Sequence, residues 1–164
     1  MKIKGNPVFQ LKKLLFPEQW KVIKNDFVDL EPDNNYPIDQ VFYHFDEDIL
    51  NVTYKDWCID LGFYGGYLDN DRKGFFKIAV YKGDFNDGEF FEFFISRSTD
   101  AIKDKINLYL TAIPNGELKD IRGIKYDDNY DFNSVHIYSS FYKINYRLTD
   151  KELEDISMPK DNYV

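Results

Sequence analysis

Trp57-Cys58-Ile59-Asp60-Leu61-Gly62-Phe63-Tyr64, then Phe75-Phe76-Lys77-Ile78-Ala79-Val80-Tyr81, then Phe90-Phe91-Glu92-Phe93-Phe94-Ile95-Ser96 are the runs whose reading decides the fold. Each is dense in aromatic and β-branched residues, which suit a pleated surface. The first two are separated by Leu68-Asp69-Asn70-Asp71-Arg72-Lys73-Gly74 and the last two by Gly83-Asp84-Phe85-Asn86-Asp87-Gly88. Short connections rich in Gly and Asp predict an antiparallel meander over residues 57–96. Alternation places Trp57, Ile59, Leu61 and Phe63 on one face of the first strand, and Phe76, Ile78 and Val80 on one face of the second. The third run is apolar on both faces, as expected of a central strand covered twice.

One cover follows directly. Ser98-Thr99-Asp100 supplies a helix N-cap and a negative first turn, and Ile102, Ile106, Tyr109, Leu110 and Ile113 recur at helical spacing until Pro114-Asn115-Gly116. Upstream, Val8, Leu11, Leu14 and Leu15 predict a short amphipathic helix ending before Pro17. Trp20-Lys21-Val22-Ile23 predicts a first strand, residues 40–45 another extended piece, and Ile49-Leu50-Asn51-Val52-Thr53-Tyr54 the lead into the meander. Late strands are predicted over residues 135–148, and Thr149-Asp150-Lys151-Glu152 has capping-box spacing for a short terminal helix. The expectation is a single α+β domain over residues 1–164, a central antiparallel sheet covered by one or more helices.

Bulk properties narrow the function. At 164 residues the chain is long enough to bury a core. A net charge of -8 disfavours direct binding to nucleic acid or to an anionic membrane, and favours a basic protein partner. Cys58, the lone cysteine, has no intramolecular partner for a disulfide and lies within a strand, which fits a reducing cytoplasm and a buried structural thiol. Neither a signal peptide nor an apolar run of membrane-spanning length is read in the chain.

Catalytic signatures are absent: there is no nucleophile elbow, P-loop, paired-histidine zinc motif or dinucleotide fingerprint. Asp69-Asn70-Asp71-Arg72-Lys73-Gly74 begins like a calcium loop, but Lys73 occupies the fifth position and Val80 the twelfth, so it reads as a hairpin loop. Asp60, an acid in an apolar strand, either faces solvent or anchors a buried hydrogen-bond network. The expectation is a non-enzyme with no cofactor and no metal. The rival is a small hydrolase-like enzyme built from His44, His136 and scattered carboxylates; a third reading is a non-catalytic adaptor joining an assembly through its aromatic surface.

Charge is unevenly spread. Residues 1–24 carry six Lys against one Glu, whereas residues 25–71 carry twelve acids against Lys55 alone. Acids interleaved with Tyr suit a surface that clamps a basic partner, since carboxylates pair Lys and Arg while Tyr supplies rigid contact area. The candidate partner-binding residues are Asp46, Glu47, Asp48, Asp69, Asp71, Tyr126, Asp127, Asp128, Tyr130 and Asp131.

Trp20-Lys21-Val22, the run Asn25-Asp26-Phe27-Val28-Asp29-Leu30-Glu31-Pro32, Asp46-Glu47-Asp48-Ile49-Leu50, Ile59-Asp60-Leu61-Gly62-Phe63-Tyr64 and Gly74-Phe75-Phe76 together resemble a group of small bacterial immunity proteins. These accompany contact-dependent growth inhibition and related polymorphic toxins, and the resemblance spans roughly residues 20–113. It implies a cytoplasmic antitoxin that binds and neutralises a cognate, basic toxin domain such as a nuclease. It carries over no functional residue, because immunity interfaces are specific to each pair.

Overall fold

The computed structural model describes residues 7–69, 71–83, 89–118 and 123–126. Strands β1 (Lys21–Asn25), β2 (Leu50–Tyr54), β3 (Trp57–Tyr64), β4 (Phe75–Lys82) and β5 (Glu89–Ser96) lie side by side in chain order, each antiparallel to its neighbour. A sixth strand, β6 (Gly123–Tyr126), joins the far side of β5 in parallel. A parallel pair needs a crossover, and α2 (Thr99–Ala112) lies in it. Helix α1 (Ile38–Val41) and the 3-10 turn Phe42–His44 lie between β1 and β2. The chain is a single α+β domain built on the expected meander.

Local chemistry sets the ends of α2. The Ser98 hydroxyl accepts a hydrogen bond from the Ala101 amide at 3.2 Å, and Asp100 faces the positive end of the helix dipole. Its stripe of Ile102, Ile106, Tyr109 and Leu110 is buried together with Ile59, Leu61, Phe63, Phe76, Ile78 and Val80. Trp20 Nε1 donates to the Leu110 carbonyl at 2.8 Å, binding the approach to β1 to this helix. The opposite sheet face is buried as well: Cys58, Phe75, Lys77, Ala79, Tyr81, Phe93 and Ile95 all lie on it. Double burial therefore extends from β5, where it was expected, to β4.

Three expectations change. Residues 7–16 are not helical: Leu11 bridges Val28, the Lys12 amide donates to the Phe27 carbonyl, and the Asp29 amide donates to the Gln10 carbonyl. The Lys12 side chain explains the extended course. It turns inward to Asp29 at 2.8 Å, Asp100 at 2.6 Å and the Thr99 hydroxyl at 3.0 Å, which no short isolated helix offsets. Val8, Leu11 and Leu15 remain exposed, so their spacing marks no core face. Residues 40–45 form the end of α1 and the 3-10 turn instead of an extended piece, because Val41 and Phe45 both turn into the core on one side of the chain. Strand β6 is an addition, too short and too polar to show a period. The late strands over 135–148 and the terminal helix lie outside the described residues.

Candidate functional site: an acidic, aromatic recess

β3 ends in Tyr64-Gly65-Gly66-Tyr67, and the two glycines take φ of 113° and 65°. Side chains other than glycine rarely tolerate such angles, so the chain leaves the sheet here in a tight turn without side-chain bulk. Opposite, residues 46–48 cross against β3: the Phe63 amide donates to the Asp46 carbonyl at 2.7 Å and the Ile49 amide to the Leu61 carbonyl at 2.9 Å. Gly62 permits that approach, because a Cβ there would sit 2.2 Å from the Glu47 carbonyl oxygen.

Between these two segments opens a cavity of about 460 Å³. Phe45 and Phe63 form its apolar base, with Phe45 stacked on Tyr67 at 4.1 Å and edge-on to Phe63 at 5.1 Å. Phe42, Tyr64 and Leu68 add further wall, and Asp46, Glu47 and Asp69 bring three carboxylates to it. Burial and the neighbouring Asp60, Glu47, Asp48 and Asp46 all push the Tyr64 phenol up, so the hydroxyl sits in a negative field.

A hydrogen-bonded clamp holds the far wall. Tyr67 Oη donates to the Pro32 carbonyl at 2.6 Å. Arg72 donates to the Asn34 carbonyl at 3.2 Å, to the Asn34 side-chain oxygen at 3.1 Å, to Tyr67 Oη at 3.2 Å and to the Tyr36 carbonyl. Arg97 pairs with Asp33 at 2.8 Å and caps the Arg72 carbonyl at 3.0 Å. Both guanidiniums thus brace the loop after β3 against residues 32–36.

A row of surface aromatics runs up to the recess. Phe9 meets Tyr36 at 5.0 Å and His44 at 5.4 Å, His44 lies 4.2 Å from Tyr43, and Tyr43 lies 6.1 Å from Phe42 at the rim. Tyr36, Phe42 and Tyr43 are about two-fifths exposed, at 43%, 39% and 44%. Exposed aromatics on a rigid base are the residues that anchor protein interfaces.

The expected contact residues divide. Asp46, Glu47 and Asp69 meet at the recess, although a long stretch of chain separates the first two from the third. Asp48 instead pairs with Lys24 at 3.1 Å, and Asp71 is exposed outside the lining. Tyr126 is placed only as backbone of β6, paired with Ile95. Asp127, Asp128, Tyr130 and Asp131 lie outside the described residues. Sequence reasoning missed Phe42, Tyr64 and Leu68; the paired glycines flanked by Tyr64 and Tyr67, next to an acidic loop, were the available signal.

His44 has its Nε2 without a hydrogen-bond partner among the described residues, and burial lowers its pKa. His136 lies outside the described residues. Asp60 and Lys77 lie diagonally across β3 and β4 on the second sheet face. Burial pushes Asp60 up to about 6 and Lys77 down to about 7. Lys77 is 2% exposed beneath the Tyr64 ring, 4.0 Å from its centroid, so no substrate reaches the amine from solvent. Among the described residues, no group of three or more His, Cys, Asp or Glu side chains is placed to hold a metal ion, and no helix is long and apolar enough to cross a membrane. Compared with protein-family models, curated proteins and solved structures, the chain matches none.

Proposed function

We propose that this protein is a non-catalytic immunity protein of the cytoplasm, which binds a cognate basic toxin domain, such as a nuclease, and blocks it. One observation carries the reading: Asp46, Glu47 and Asp69 converge on an aromatic recess continuous with the exposed Tyr36, Tyr43 and Phe42 row. Carboxylates give charge complementarity and steer association; rigid aromatics give contact area at low entropic cost. The acidic segment 25–71 that contains most of this surface also carries the strongest negative charge of the chain.

The test is co-expression with the product of the gene immediately upstream, which the proposal requires to carry the toxin domain. Co-purification with that domain and rescue of cell growth are expected. A stable, folded toxin domain that neither binds the protein nor loses activity in its presence sinks the proposal. Within a complex, Glu47→Ala and Asp69→Ala each weaken binding by about 1–3 kcal/mol, while Asp48→Ala changes it by less than about 0.5 kcal/mol.

A further inference from the structure

The geometry points to a more specific role for the recess: it is a receptor for one arginine side chain of the protein partner. The assignment rests on the proposed binding face and names the chemistry of its anchor.

Among the described residues, the lining includes Asp46, Glu47 and Asp69 and no Lys, Arg or His. Three of the nearby described cations have partners outside the lining. Lys24 pairs with Asp48 and Asp26, Arg72 is spent on Asn34, Tyr36 and Tyr67, and Arg97 holds Asp33. A cation entering the recess therefore meets a net negative field, offset in part at Glu47 by the buried Lys77 amine, with one Asp46 oxygen already accepting from the Glu47 amide at 2.7 Å. Its walls are aromatic, with Phe42 exposed at the rim and Phe45 and Phe63 beneath.

That combination discriminates between the two basic side chains. A lysine ammonium is compact and strongly hydrated, and gains little by moving against apolar rings. A guanidinium is planar and weakly hydrated, stacks on aromatic faces and takes two carboxylate oxygens at once. The volume of about 460 Å³ exceeds one side chain and admits an arginine with part of the backbone that bears it. Because Arg72, Tyr67 and the Gly62 crossing already fix both walls, little ordering remains to be done on binding.

The probes are acetyl-arginine methylamide and its lysine and citrulline counterparts, titrated into the full chain while backbone amide NMR shifts are followed. Saturable shifts confined to residues 42–47 and 63–69 are expected, with arginine binding at least fivefold more tightly than lysine and citrulline producing none. Glu47→Gln combined with Asp69→Asn removes the arginine response, whereas Asp48→Asn preserves it. Phe42→Ala weakens arginine more than lysine. Equal responses to arginine and citrulline, or shifts scattered over the surface, overturn the receptor. The two proposals separate cleanly. A protein that neutralises the toxin without an arginine response retains its immunity role and loses this anchor; one that binds arginine in the recess but ignores the toxin keeps the receptor and loses the immunity role.

Discussion

Lys77 and Asp60 are charged groups placed where the sheet is buried on both sides, and their stability effects have opposite pH windows. For Lys77 the folded pKa, about 7, lies below the ordinary 10.5. Folding therefore disfavours its ammonium: the penalty is complete below pH 7 and is relieved as pH rises toward the unfolded value. For Asp60 the folded pKa, about 6, lies above 3.8, so its penalty is absent in acid and grows as pH climbs between those values. Chemical denaturation should accordingly show stability rising by about 2 kcal/mol between pH 7 and pH 9. Lys77→Met abolishes that rise; an unchanged slope in the variant would assign it to other groups. The window stops at pH 9 because Cys58, pushed by burial up to about 11, works in the opposite direction above it. Gly62 is the second decisive residue. Gly62→Ala places a methyl 2.2 Å from the Glu47 carbonyl oxygen and 2.8 Å from the Tyr64 ring. A loss of about 2–4 kcal/mol is expected by urea denaturation, with amide shifts concentrated on residues 46–49.

Among the elements, α2 and the loop after β3 behave differently. Helix α2 contributes its buried stripe to the core, so Ile106→Ala costs about 3 kcal/mol of global stability, and Ser98→Ala, which removes the N-cap, about 1 kcal/mol. Thermal or urea melts read both. The loop is braced by the polar contacts of Arg72 and Arg97 and by the buried Tyr67 ring stacked on Phe45. Arg72→Ala should therefore change global stability modestly, by about 1 kcal/mol, yet markedly raise hydrogen exchange at residues 65–69. Similar exchange in variant and parent would show that the aromatic stack of Phe45 on Tyr67 suffices to hold the recess. Elements also mark where sequence reading succeeds. Residues 57–96 announce their strands by aromatic and β-branched runs between Gly- and Asp-rich connections, and α2 by its cap, stripe and stop, because each signal is local. Residues 7–16 carry a helical spacing as well, but a distant contact, Lys12 with Asp29 and Asp100, overrides it.

For the whole molecule, charge is segregated along the chain, and the fold places Asp46, Glu47 and Asp69 from the acidic stretch beside exposed aromatics. Under the proposed function, association with a basic toxin domain is electrostatically steered: its on-rate falls roughly tenfold between low and physiological salt while the off-rate changes little. Stopped-flow mixing at several ionic strengths checks this, and a salt-independent on-rate would contradict the steering. The residue order by itself determined the meander, helix α2, the burial of Cys58 and the acidic character of residues 25–71, since each follows from composition or from a short-range period. Only the tertiary structure decided which acids work together. Asp46, Glu47 and Asp48 are consecutive and chemically alike, yet the first two open onto the recess and the third turns to Lys24. Asp69 joins them because β3 carries the chain back past the crossing at Gly62. Period and propensity are local properties of a chain; the convergence of a site depends on which backbones can approach one another, and that is settled only when the sheet packs.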